Sequence, residues 1–102
     1  MRDAALESMS FLQGRTAADL QHDRMLALAL VKELEIIGEA ASKVSVEVRG
    51  LAPDIPWTLI VGMRNRLIHA YFDVSLEFVW NTGTEKLPQL IAQLDRLLLQ
   101  LE

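Results

Sequence analysis

A chain of 102 residues that is 51% hydrophobic but only 6% aromatic is expected to form one domain, 1–102, with a modest core of Leu, Ile, Val, Ala and Met, the palette of packed helices. The absence of cysteine excludes a disulfide framework and thiolate metal sites and agrees with a reducing compartment. Ten basic against fourteen acidic residues, a net charge of −4, argue against broad non-specific binding to nucleic acid and leave room for a confined cationic cleft.

The first fourteen residues contain acids and no apolar stretch, unlike a secretory signal. The longest unbroken apolar run, Met25 to Val31, is far shorter than the ~20 residues of a membrane-spanning helix. The expected setting is therefore soluble and cytoplasmic.

In chain order, Asp3 to Leu12 place Ala4, Ala5, Met9 and Leu12 on one side of a first helix, which Gly14 stops. Thr16 and Asp19 have the spacing of a capping box. The longest predicted helix runs from about His22 to Val44, with Asp23 near its start and a core stripe of Ala27, Leu30, Leu34, Ile37, Ala41 and Val44. Leu28, Ala29, Ile36 and Ala40 add apolar surface outside that stripe, as in a helix with neighbours on several sides, a second protomer among them.

Ser45 to Arg49 can form another turn, ended by Gly50, and Leu51 to Pro56 read as a connection because each Pro disfavours the helical region for its predecessor. Pro56 suits the first position of a helix reaching His69 or Ala70. Asp73 or Ser75 should cap the next helix, with Leu76, Val79 and Trp80 inward. Thr82-Gly83-Thr84 and Pro88 predict a kink or break. Leu87, Leu90, Ile91, Leu94, Leu97, Leu98 and Leu101 then make a final amphipathic helix. With no strand-period segment, the fold class is all-α, an up-and-down helical bundle of four to five helices.

The apolar stripe from Trp57 to Tyr71 is Trp57, Ile60, Val61, Leu67, Ile68 and Tyr71, and Arg64 falls in its middle. A guanidinium there must be paired, snorkel or point into a polar cleft. The plainer reading is an ion pair with an acid such as Glu39 on the preceding helix. Asn65 and His69, four residues apart, share a face. Gly62 costs ~1 kcal/mol relative to Ala in mid-helix, which indicates a close approach, either of a neighbouring helix or of a substrate backbone.

Arg64, Asn65 and His69 make a plausible kit for phosphodiester cleavage without a metal or cofactor. Histidine titrates near neutral pH and can serve as general base or acid. Arginine presents a planar fork of donors to a phosphate, and asparagine can hold an imidazole tautomer or a phosphate oxygen. An Arg five places before a His arises by chance in roughly one chain in seven of this composition. His22, with no Arg at that spacing, reads as a solvated surface residue.

The series Leu34-Glu-Ile-Ile-Gly-Glu-Ala-Ala, Ile55-Pro-Trp, Met63-Arg-Asn-Arg-Leu-Ile-His-Ala-Tyr-Phe, Val79-Trp and Leu87-Pro-x-Leu is more specific than that spacing. In it, from about Asp23 to Leu101, the chain resembles the HepT-like branch of the HEPN superfamily. The segment ahead of the first helix is shorter than in most of that family.

The resemblance implies catalytic Arg64 and His69 in an Arg-x4-His-x-Tyr motif completed by Tyr71, with Asn65 and Arg66 in RNA binding. It further implies a HEPN-like homodimer with both motifs in the cleft between protomers, metal-independent endoribonuclease activity, and a minimal nucleotidyltransferase antitoxin that transfers AMP to Tyr71. Without the resemblance, Tyr71 is an amphipathic ring closing a helix. The alternatives are a catalytically weak module that binds a nucleotidyltransferase or a nucleotide, and a purely structural helical dimer.

Overall fold

The computed structural model describes residues 1–69 and 75–102, with the backbone alone at Ile68 and His69. Seven α-helices follow in those residues: α1 (Arg2–Leu12), α2 (Ala17–His22), α3 (Arg24–Ser42), α4 (Val46–Leu51), α5 (Trp57–His69), α6 (Leu76–Asn81) and α7 (Leu87–Gln100). No strand occurs among the described residues. The expected all-α class holds, with the long helices α1, α3, α5 and α7 as the body of the bundle, α2 and α4 as short turns between them, and α6 leading into α7. The described residues contain no helix long and apolar enough to cross a membrane.

Local chemistry fixes the helix starts. The Asp23 carboxylate accepts from the Leu26 N–H at 3.1 Å, and the hydroxyls of Ser45 and Ser75 accept from the Val48 and Phe78 N–H groups, each at 3.2 Å. Each such cap is worth ~1 kcal/mol. Thr16 N–H donates to the Asp19 carboxylate at 2.7 Å in the predicted capping box. Ser75 is thus the cap of α6, while Asp73, the other candidate, lies outside the described residues.

The end of α3 is closed from a distance. Arg49 donates from Nε to the Val44 carbonyl at 3.1 Å and from Nη2 to the Ala41 carbonyl at 2.9 Å, satisfying acceptors that the helix leaves open. Its guanidinium also lies 5.7 Å from the Trp57 ring centroid. Trp57 is buried and donates Nε1–H to the Ala52 carbonyl at 3.0 Å. These contacts pin the 52–56 connection and fix where α5 begins.

Of the predicted kink or break, the break is absent. Thr82–Lys86 instead form a π-helical turn joining α6 to α7 in one helical run. Pro88 lacks an N–H, and the wider turn passes this defect without a break. The Thr82 and Thr84 hydroxyls donate to the Phe78 and Trp80 carbonyls at 2.7 and 2.8 Å. A Cβ at Gly83 would stand 2.5 Å from Leu12 Cδ1, so the glycine lets α1 seat on the turn.

The core lies around α3, where Leu30, Leu34 and Ile37 are almost fully buried. Leu28 and Ile36 are exposed, consistent with their place outside the predicted stripe. Leu98 and Leu101, expected in the apolar stripe, are 48% and 49% exposed, while the adjacent Leu97 is buried, so the buried face of α7 is narrower than the run of leucines. His22 is exposed as expected. An ion pair of 2.5 Å between Arg2 and Asp95 ties α1 to α7.

Glu33 on α3 is half-buried and faces Glu7 on α1. Loss of solvation first, then a hydrogen bond and repulsion from Glu7, push its pKa above the ordinary glutamate range. A carboxyl whose pKa is raised by folding holds its proton more readily in the native state. Its stability contribution is therefore present below its unfolded pKa and is lost as pH rises through the folded value. Glu33→Gln should raise the melting temperature at pH 7, and the gain should vanish as pH falls to the ordinary glutamate pKa, as checked by thermal denaturation across that range.

Candidate functional site

The main support of α5 is α3, its most extensive helix partner. A Cβ added at Gly38 would collide with Arg64 Cβ and stand 3.0 Å from Arg64 Cγ and 3.1 Å from the Ile60 carbonyl oxygen. Gly38 is therefore the place where the two helices touch backbone to side-chain root, and the residue lying on it is Arg64. The sequence reading assigned a close approach to Gly62. A Cβ there would meet nothing within 4 Å among the described residues, so packing of a neighbouring helix does not account for Gly62. The signal for Gly38 was the same: a glycine in the middle of a 19-residue helix, costing ~1 kcal/mol against Ala.

From that seat Arg64 reaches polar partners at the edge of the core. Its Nη2 is 2.6 Å from a Glu39 carboxylate oxygen, and Nη1 donates to the Asn65 side-chain oxygen at 2.8 Å. The ion pair with Glu39 expected as the plainer reading is thus present. Glu39 is shared with Lys43, 3.6 Å away one turn later. Among the described residues, Arg64 Nε is buried without a partner. A guanidinium has five N–H donors, and these two contacts leave further donors for an incoming anion.

Asn65 is brought to Arg64, while Arg66 is not. At about 100° per residue, positions 64 and 66 project about 200° apart around α5. Arg66 points away from α3, with its guanidinium carbon 5.4 Å from the centroid of Phe78 on α6. His69 is the last described residue of α5, and its side chain lies outside the described residues, as do Tyr71 and the remainder of the motif. Five residues along a helix place the His69 backbone ~7.5 Å further along the axis than Arg64. Among the described residues, no three His, Asp or Glu side chains gather as a metal site would require.

The described residues form a helical domain in which Arg64 projects from a packed helix and His69 follows about one and a half turns later. The chain belongs to the HepT-like family, whose model, described as "Ribonuclease HepT-like", matches residues 1–97. It is 38% identical to a protein of Caldanaerobacter subterraneus subsp. tengcongensis named "Putative RNase", over 85% of this chain and 78% of that one. It is also 38% identical to "Probable ribonuclease HepT" of Thermococcus cleftensis, over 78% of this chain and 72% of the relative. A Methanocaldococcus jannaschii protein named "Putative RNase" is 30% identical over 92% of this chain and 81% of its own length. No solved structure matches the chain.

The two glycines should respond oppositely to the same substitution. Gly62→Ala gains helix propensity and meets no neighbour, so it should stabilise by ~1 kcal/mol. Gly38→Ala gains the same propensity but forces α5 off α3, and overpacking costs ~1–3 kcal/mol or more. With the Cβ root of Arg64 as the obstacle, the net loss should be about 2 kcal/mol. Urea denaturation of the two variants reads the difference, and equal signs would refute the close approach.

Proposed function

We propose that the protein is a metal-independent endoribonuclease in which Arg64 and His69 are the catalytic pair. The observation that carries the reading is Arg64 itself, rooted against Gly38, oriented by Glu39 and Asn65, and left with N–H groups to spare. Membership in the HepT-like ribonuclease family supports it. The chemistry follows from the groups: His69 takes the proton of a ribose 2′-hydroxyl or delivers one to the leaving oxygen, and Arg64 neutralises charge building on the phosphate. Asn65 holds the guanidinium of Arg64. Arg66, on the other side of α5, binds RNA at a distance from the reacting phosphate.

The finer reading is that of a cytoplasmic toxin acting as a homodimer, with the two motifs sharing one cleft. Exposed Met25, Leu28 and Ile36 on α3 supply apolar surface for a second copy. The partner is a minimal nucleotidyltransferase antitoxin. The Tyr71 oxygen attacks the α-phosphorus of ATP, pyrophosphate leaves, the phenolic proton passes to solvent, and AMP remains as a phosphodiester. That group adds bulk and negative charge two residues after His69, where it competes with RNA phosphate for Arg64. The rival reading, a catalytically weak binding module, draws on the Glu39 carboxylate, which already occupies part of the guanidinium.

Arg64→Ala and His69→Ala should each abolish RNA cleavage with helicity retained, while EDTA has no effect. Cleavage by His69→Ala at the wild-type rate, or its arrest by chelation, would overturn the mechanism. Light scattering at micromolar concentration should give a dimer, and a monomer would remove the shared cleft.

For regulation, incubation with ATP and the neighbouring nucleotidyltransferase should add one AMP to wild type and abolish its cleavage. Tyr71→Phe should keep most activity, gain no mass and escape inhibition. Equal mass gain on both proteins, or inhibition without modification, would show that neutralisation does not act through Tyr71.

A further inference from the structure

Among the described residues, nothing packs against Gly62 that would require a glycine. It lies in mid-helix, it is not a turn, and a side chain there would enter open space among the described residues. A glycine there costs α5 ~1 kcal/mol and leaves the adjoining space free of a side chain.

The space is a groove of about 490 Å³ between α5 and α7, with Gly62 on its wall, within the ~300–1,000 Å³ range of small-ligand sites. Its apolar surface includes Leu59 and Met63 from α5 and Leu87 and Leu90 from α7, and Gln89 and Gln93 add hydrogen-bonding groups. Arg66 and Lys86 also line it. The acid there, Asp54, is matched by Arg96 at 3.1 Å, and its backbone carbonyl accepts from Gln93 Nε2 at 2.9 Å. The groove is thus cationic on a chain of net charge −4.

Apolar walls spaced by a missing side chain, amide groups and two cations suit one kind of ligand: a flat heterocycle carrying a phosphate. The Arg66 guanidinium carbon lies 5.4 Å from the Phe78 ring centroid, and an arginine and an aromatic ring bordering one groove are groups on which a base can stack. Gly62 precedes His69 by seven residues, two helical turns or ~10.5 Å along α5. A strand with its scissile phosphate at His69 can therefore lay a neighbouring nucleotide in the groove.

Building on the ribonuclease reading, we infer that the Gly62 groove is a subsite for an unpaired nucleobase of single-stranded RNA, with Arg66 and Lys86 on the adjoining phosphate. Bases locked in a duplex cannot enter it. The subsite favours single strands and contributes sequence preference independently of Arg64 and His69.

The test follows the Gly62, Met63 and Gln89 amide signals of the whole protein by NMR during titration with 5′-AMP, 5′-GMP, 5′-CMP, 5′-UMP and inorganic phosphate. At least one nucleotide should shift them saturably, and phosphate alone should not. Gly62→Leu should fold with a higher melting temperature, weaken that binding at least tenfold, and raise KM for single-stranded RNA with little change in kcat. Silence of these signals with all four nucleotides, or unchanged affinity in Gly62→Leu, overturns the subsite. A loss of dimer in Gly62→Leu by light scattering also overturns it, since the groove would then be a contact between copies. Nucleotide binding without RNA cleavage by wild type would sink the ribonuclease reading alone, and cleavage without nucleotide binding would sink the subsite alone.

Discussion

Because Gly38 has no side chain, α5 can lie on α3 with the root of Arg64 in the space a Cβ would fill. Much of the site depends on that approach. It fixes the height of Arg64 above the core, and from there the guanidinium reaches Glu39 and Asn65 at hydrogen-bonding distance. It also sets the rotation of α5: with position 64 against α3, Gly62 and Arg66 must face the other way, toward α6 and α7. One helix contact thus orients two chemically different faces.

Charge is arranged locally rather than globally. The chain as a whole is acidic, yet Lys43 and Arg64 flank the single carboxylate of Glu39, and Arg66 and Lys86 border the groove. At physiological ionic strength the Debye length is ~8 Å, so an anion within either feature responds chiefly to these cations. The acidic remainder of the surface is screened from it. Local cations of this kind would serve a phosphate-bearing ligand without the extended basic surface that the composition lacks.

Much of this was legible in the sequence because its causes are local. The Ser75 cap, Asp23 at the start of α3 and the α3 core stripe follow from side chains and helical period, whereas Ser45, the cap of α4, reads in the sequence as part of the turn that it begins. The Arg64–Glu39 pair was anticipated because a guanidinium in an apolar stripe needs an acid. What escaped depends on which surface meets which. Gly38 and Gly62 are alike in local sequence terms, and only the packing shows that one touches α5 while the other opens on a groove. The π turn at Thr82–Lys86 reads locally as a break, since the hydroxyls that satisfy carbonyls and the Leu12 contact at Gly83 come from its tertiary setting. Arg64 and Arg66 look like one basic cluster in a linear motif, but helical geometry parts them.

The Glu39 contact bears on how an anion could engage Arg64. The two side chains are partly exposed, 31% for Arg64 and 44% for Glu39, and ion pairs of that exposure contribute only ~0–1 kcal/mol. Such a pair is too weak to bar a phosphate, which brings more charge and several acceptors. It is strong enough to bias one rotamer of a long side chain whose freedom is worth ~2 kcal/mol. Glu39 occupies Nη2 and Asn65 occupies Nη1, so the plane of the fork is set while donors remain. Glu39 is therefore better understood as a positioning residue than as a plug: with Asn65 it fixes the guanidinium by a contact weak enough for a phosphate to compete with.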